Sequence, residues 1–324
     1  MWARKFLALL SVVALATGVV ACSSSEAAEG GSVAVQTDQG EVQVPSDPQR
    51  VVLLNYALAG YLYDMDVPVV AMTPEYTAAP GEFAPAWAEA ARAQGTQWLP
   101  WDVDGFDTEA ILAQDPDLII AGGLGFPLRH ATEAYEELSA IAPTVVVSGD
   151  LTQWQQQFEF LAVDVFDEPQ VYRDAVAEYD ARVVAVRDAI TVPPGESAFV
   201  TLTADGSVYV LIEDRGLPKE FAALGFRPAP LFASGRFEPY TPGGDMYALS
   251  TEQVGQVLTM DTLFFIPFTE GAPSVADLRN KPIFAQLPAF AANQAYDLPY
   301  WVQRGDFHEA MEMLNLVEQT FGRG

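Results

Sequence analysis

Six residues in the middle of the chain, Val171, Ala175, Tyr179, Val183, Val186 and Ile190, recur at steps of four or three. That spacing predicts the buried stripe of one amphipathic helix. Glu168 and Pro169 suit its first turn, Asp167 can cap it, and Pro193-Pro194-Gly195 stops it. At 1.5 Å per residue such a helix runs about 34 Å, roughly the width of a small domain. A single long helix between two halves reads as a rigid connector; the same stripe also fits a surface helix of one larger domain. With 324 residues the chain is long enough for two compact lobes.

Both flanks carry the same rhythm. Before the helix, apolar strand candidates at 51–54, 69–72, 118–121 and 144–147 alternate with helical candidates at 57–65, 83–93, 108–115 and 131–141. After it come strand candidates at 198–203, 208–212 and 263–266, a helix at 217–224 closing on Gly225, and a last amphipathic helix at 307–321. Alternation of this kind predicts a mostly parallel α/β arrangement. A hairpin signal precedes it all: residues 32–37 and 41–44 alternate apolar and polar around Asp38-Gln39-Gly40. The halves also echo each other. Asp107-Thr108-Glu109-Ala110-Ile111 leads to Asp117-Leu118-Ile119-Ile120, and Ser250-Thr251-Glu252-Gln253-Val254 leads to Asp261-Thr262-Leu263-Phe264. Each is a short helix, capped by Thr108 or Ser250 with a Glu in its first turn, followed by a buried strand. Two similar lobes joined by one helix outline a binding protein with a cleft between them.

The first residues read as a processing signal. Arg4 and Lys5 precede an apolar run over 6–20, which is short for a spanning helix of about 20 residues and suits a secretory signal. The run ends Val19-Val20-Ala21-Cys22, similar to a bacterial lipobox, with the chain's one cysteine as the residue to be lipidated. The other reading is a free or buried cysteine. Residues 1–21 are then the signal peptide, and 22–31 the lipidated Cys with a flexible tether. Residues 32–166 form the N-terminal lobe, 167–192 the connecting helix and 193–324 the C-terminal lobe.

Charge and residue counts exclude several functions. Lys and Arg number 16 against 44 Asp and Glu, for a formal net charge of −28, so a nucleic-acid partner is not expected. Losing Arg4 and Lys5 with the signal brings the mature chain to −30, which suits an exported domain and not one lying on anionic lipid. One Cys excludes an internal disulfide, and two His, His130 and His308, speak against a histidine metal cage. There is no Gly-x-Ser-x-Gly, and Gly122-Gly123-Leu124-Gly125 lacks dinucleotide-loop spacing, so it reads as a tight turn close to the cleft. Carboxylates are too abundant here to mark a catalytic pair.

The sequence resembles the substrate-binding lipoproteins of iron–siderophore and cobalamin ABC importers, the helix-linked class III periplasmic binding proteins. The resemblance rests on the hairpin followed by Pro48-Gln49-Arg50-Val51-Val52-Leu53, the Glu109 helix with Pro116-Asp117-Leu118-Ile119-Ile120, and the mid-chain helix. It rests also on Ala223-Leu224-Gly225-Phe226, Leu249-Ser250-Thr251-Glu252 and Phe284-Ala285-Gln286-Leu287-Pro288-Ala289. A Pro-, Trp- and Phe-rich stretch at 76–106 departs from the pattern. The resemblance implies two Rossmann-like lobes joined by one long rigid helix, a ligand in the cleft and no catalysis. It also implies lipid anchoring to the outer face of the bacterial plasma membrane. Glu109 and Glu252 match the acids that meet arginines of the two permease subunits in that family.

The implied ligand is a ferric siderophore, with haem or cobalamin as alternatives. An exported lipid-anchored hydrolase or a partner-binding lipoprotein are readings of other classes. A siderophore arrives with its iron wrapped, so the protein needs aromatic walls and a few cations, and neither a metal site nor a cofactor of its own. Ligands of parallel sheets sit beyond the C-terminal ends of strands. That rule, with loop position, selects Arg129, Arg215, Arg236 and Arg304 as cations. The aromatic candidates are Tyr56, Tyr76, Trp98, Trp101, Phe126, Trp154, Tyr240 and Trp301. Arg92, Arg173, Arg182 and Arg187 lie on helices and read as solvated.

Overall fold

The computed structural model describes residues 31–75, 81–102, 104–241, 244–269 and 271–323. The lipobox cysteine Cys22 and Tyr76 lie outside the described residues. Strands β1 (Ser32–Thr37) and β2 (Gly40–Pro45) form the expected hairpin, in register from Ser32 opposite Pro45 to Thr37 opposite Gly40. The first lobe is built on β3 (Val51–Leu53), β4 (Val69–Met72), β5 (Gln97–Trp98), β8 (Leu118–Gly122) and β9 (Thr144–Val147), in the order β5-β4-β3-β8-β9. Every pairing in it is parallel. Between β5 and β8 the two short strands β6 (Trp101–Asp102) and β7 (Gly105–Phe106) make a separate ribbon.

The second lobe has β10 (Ser197–Leu202), β11 (Val208–Leu211), β12 (Met246–Leu249), β13 (Thr262–Pro267) and β14 (Ala295–Asp297), ordered β12-β11-β10-β13-β14. Here β10, β13 and β14 run parallel, and β11 and β12 are antiparallel additions. The continuous apolar run of β13, Leu263 to Ile266, follows from burial on both faces. In β13, Phe264 and Ile266 enter one core and Leu263 and Phe265 another.

Helices depart from the sequence expectation mostly at their ends. The stretch expected helical at 83–93 is helical over Ala88–Gln94, and that at 131–141 is two helices, Phe126–Glu133 and Tyr135–Ile141. The connector runs Pro169–Ala189, with Pro169 at its first position. Asp167 does not cap it: Glu168 holds the cap position, and Asp167 turns the chain with φ 55°.

The connector does not stand alone. The last helix, Phe307–Phe321, packs along it, and Arg182 donates to Asn315 at 2.7 Å and to Glu318 at 2.5 Å, so this arginine is a clasp between helices and not a solvated charge. One apolar core runs from Leu53 and Tyr61 of the first lobe through Tyr179 and Leu314 of the two helices to Phe264 of the second.

Two polar contacts tie the start of the last helix to the first lobe. Buried Asp306 caps it through His308 N and Glu309 N and also accepts from Gly60 N at 3.1 Å. His308 Nε2 lies 2.8 Å from Asp64 Oδ1. Burial lowers the affinity of His308 for its proton, but the Asp64 hydrogen bond and the charges of Asp306 and Asp64 outweigh it, and its pKa is raised above the ordinary 6.5. A raised folded pKa stabilises fully below the unfolded value and is lost as pH rises through the folded one. His308→Gln is therefore expected to cost about 1 kcal/mol at pH 6, with the gap to wild type closing by about pH 9, read from urea denaturation midpoints.

Candidate functional site

The parallel sheets turn the ends of their strands toward one cleft of about 570 Å³. Asn55, Tyr56 and Ala57 enter it after β3, Pro74 and Glu75 after β4, Leu124, Phe126 and Pro127 after β8. From the second lobe come Pro267 at the end of β13, Phe268 and Thr269 just after it, and Tyr300, Trp301, Gln303 and Arg304 after β14. Gln157 and Glu309 complete the floor.

Local chemistry sets each wall. Asn55 caps the turn Tyr56–Leu58 by accepting from Ala57 N at 3.0 Å, while its Nδ2 donates to Gly122 O at 2.7 Å. It thereby joins the ends of β3 and β8. Gly123, at φ 84°, must be glycine, because a Cβ would come 2.7 Å from that Nδ2. Trp101 is held by its indole N–H, which donates to His130 Nδ1 at 3.0 Å. Buried His130 also contacts the rings of Phe106 and Phe126, and Arg129 lies 4.9 Å above Phe126. His130 thus braces an aromatic wall.

Arg304 is the cation of the cleft. Its Nε and Nη2 donate to the two Asp245 oxygens at 2.9 and 2.8 Å, and Nη2 also donates to Tyr240 at 3.1 Å. Burial opposes its charge, Asp245 more than offsets that, and its pKa stays well above the usual arginine value. The guanidinium reaches the first lobe as well, where a Cβ on Gly125 would lie 2.3 Å from Nη1. The Gly-rich turn is therefore the close approach its sequence suggests, made to a side chain of the other lobe.

Two carboxyl groups line the same space. Burial pushes Glu75 up to about 7. Burial, then the neighbouring Asp306 and Glu75, holds Glu309 well above the ordinary carboxylate value. Burial likewise lifts Tyr300 to about 12. Among the described residues no group of three or more His, Cys, Asp or Glu side chains is placed to hold a metal ion.

Of the candidates named from sequence, Tyr56, Trp101, Phe126, Trp301 and Arg304 line the cleft. Arg304 gets there from the end of a 3-10 turn, Tyr300–Gln303, that follows β14. Others lie elsewhere. Trp98 stacks on Phe83 at 4.7 Å, behind Tyr56. Trp154 is core, 3% exposed, between Tyr179 and Phe307. Arg215 follows β11, which is antiparallel, so the strand-end rule does not carry to it; it donates to Gly244 O at 2.8 Å. Arg236 is exposed over Phe237. Tyr240 holds Arg304 without lining the cleft, and Arg129 backs the Phe126 ring.

The functional candidates missed are Asn55, Glu75, Gln157, Phe268, Tyr300, Gln303 and Glu309. Asn55 and Glu75 were findable, since each follows a parallel strand. Glu309 was legible only as the partner of Asp306 in a capping box.

Glu109 and Glu252 are both exposed, each in the first turn of a short helix. The first of these helices, Thr108–Leu112, is capped by Asp107 and not by Thr108: the carboxylate one residue earlier accepts from Ala110 N at 2.9 Å. Ser250 caps the other in a box with Gln253. The backbone N–H of Glu252 and the Ser250 hydroxyl hold the Glu252 carboxyl below its ordinary pKa.

A family profile described as periplasmic binding protein matches residues 101–300. The ferric enterobactin-binding periplasmic protein FepB of Escherichia coli O6:H1 is 28% identical over 296 residues, covering 89% of this chain and 90% of that protein. The probable siderophore-binding lipoprotein YfiY of Bacillus subtilis is 22% identical over 337 residues, covering 98% of each. The crystal structure of holo-ViuP superposes with a TM-score of 0.75 at 23% identity, over 90% of this chain and 95% of that one.

Proposed function

The chain belongs to the periplasmic binding protein family, and on that premise we propose that it captures a ferric siderophore outside the cytoplasm and delivers it to the permease of an ABC importer. The observation that carries the reading is the cleft of about 570 Å³ at the strand ends of the two lobes, walled by Tyr56, Trp101, Phe126, Phe268, Tyr300 and Trp301. Flat aromatic faces suit a wrapped iron complex, whose metal needs no protein ligand. The names of FepB and YfiY point the same way. In this reading the protein binds and releases, and transforms nothing. Residues 32–166 and 193–324 act as the lobes and 167–192 as their link. The segment 1–21 directs export, Cys22 carries the lipid, and 22–31 tethers the protein to the outer face of the plasma membrane.

Trp101 and Trp301 report on occupancy. Ferric siderophores are expected to quench the fluorescence of the mature chain saturably, with less quenching in Trp101→Phe and Trp301→Phe. Saturable quenching by haem or cobalamin alone would overturn the reading, as would turnover of a hydrolase substrate without any such binding.

Glu109 and Glu252 are assigned to permease docking in the same reading. One exposed acid on each lobe lets the importer grip both lobes at once. The double variant Glu109→Ala/Glu252→Ala is expected to keep its ligand Kd within about twofold and to lose most uptake in cells. Full transport by the double variant, or loss of binding by the purified protein, would count against the assignment.

A further inference from the structure

Charge inside the cleft restricts its ligand. Of the 16 Lys and Arg in the chain, Arg304 is the one that lines the cleft among the described residues, and it is already bonded to Asp245 and Tyr240. The undescribed residues include no Lys or Arg beyond Arg4 and Lys5 of the leader. Two carboxyl side chains, Glu75 and Glu309, share the lining, and among the described residues neither is in an ion pair.

A multiply negative complex entering this space would give up its hydration and meet one spent guanidinium and two acids. A neutral or positive complex meets aromatic faces whose π clouds favour cations, and carboxyl groups whose ionised form a pendant ammonium would favour. Iron chemistry links this to donor class. Three hydroxamates cancel the charge of a ferric ion, and a pendant amine leaves the complex positive. Three catecholates leave it triply negative.

We propose that the cleft selects ferric complexes of neutral or positive net charge, the tris-hydroxamate class, and that Glu75 and Glu309 are the specificity-determining residues that disfavour tris-catecholates. The proposal rests on the siderophore reading above, and it departs from the ligand in the name of FepB.

The titratable and charged groups around Glu75 are Glu309, Tyr56 and Tyr300, with Asp306 and the Asp245–Arg304 pair beyond them and the Asp64–His308 pair behind Asp306. With Glu75 titrating near 7, a positive ligand binds its ionised form and drives off a proton. Affinity for that ligand then rises with pH, and affinity for a triply negative one falls.

The test is fluorescence titration of the mature chain with ferrioxamine B (singly positive), ferrichrome (neutral) and ferric enterobactin (triply negative), at low salt between about pH 6 and pH 8. Ferrioxamine B or ferrichrome is expected to bind at least roughly tenfold tighter than ferric enterobactin. Ferrioxamine affinity should rise across the pH range, and the preference should shrink in Glu75→Gln/Glu309→Gln. Tighter binding of ferric enterobactin than of both others would overturn the charge selection and leave the siderophore reading standing. Absence of binding by all three would overturn the siderophore reading itself, and this proposal with it. The pH slope on wild-type protein decides the matter even if the double variant fails to fold: an enterobactin affinity that rises with pH while that of ferrioxamine falls would also overturn it.

Discussion

Asp245→Ala should be among the most damaging single substitutions in this protein, at about 3–5 kcal/mol of folding stability. The side chains of Asp245 and Arg304 are only 6% and 17% exposed and share two parallel hydrogen bonds. Removing the acid leaves a guanidinium in a site that water reaches poorly, still bonded to Tyr240 and lying over the Phe268 ring but with no acid to balance it there. The cost is that stranded charge rather than the worth of the pair, and a double variant separates the two. Arg304→Met/Asp245→Leu replaces both groups by apolar ones and should recover much of the loss. If the double variant is as unstable as the single one, the loss comes from packing and the stranded-charge account is wrong. Denaturant midpoints at constant m-value give the measurement. Asp245→Ala also bears on ligand choice. In a protein that stays folded, a guanidinium freed from its acid should raise affinity for ferric enterobactin relative to ferrichrome, in the direction opposite to the wild-type preference.

Phe264→Ala should cost a similar amount, about 3–5 kcal/mol, by a different route. Phe264 is fully buried on the face of β13 that meets the helices. Its ring lies 4.9 Å from those of both Phe199 and Phe221, and 5.6 to 6.2 Å from those of Tyr296, Phe226 and Phe321. Those partners come from β10, β14, the last helix and the segment around Phe221–Phe226, so no single neighbour can move to fill the hole. Phe264→Leu, which keeps most of the volume, should lose less than half as much. Equal losses for Ala and Leu in urea denaturation would show that ring geometry, not cavity volume, sets the cost. Because Phe264 faces away from the cleft lining, either variant that stays folded should bind ligand with little change in Kd.

Much of the fold was legible because it rests on local periodicity. The step of four or three from Val171 to Ile190 needs only one helix face to be buried, and the helix is there, from Pro169 to Ala189. The apolar runs at β8, β9 and β13 are continuous because both sheet faces are covered, and a continuous run is visible in any short window. The strand-end rule then located Arg304, since parallel pairing sends every strand end to one side. What the sequence could not decide is which side chains meet across long separations. Trp101 and Trp154 read alike as aromatics beside strands. One is drawn to the cleft by His130, and the other is sealed between Tyr179 and Phe307, which fold onto it from the connecting and last helices. Glu75 and Glu309 lie 234 positions apart in the chain, and their shared burial, which raises both pKa values, exists only once the lobes enclose them. Secondary structure is set by neighbours a few residues away and so was readable from the sequence, whereas the charge of the cleft is set by desolvation, and only the tertiary structure determines where water is excluded.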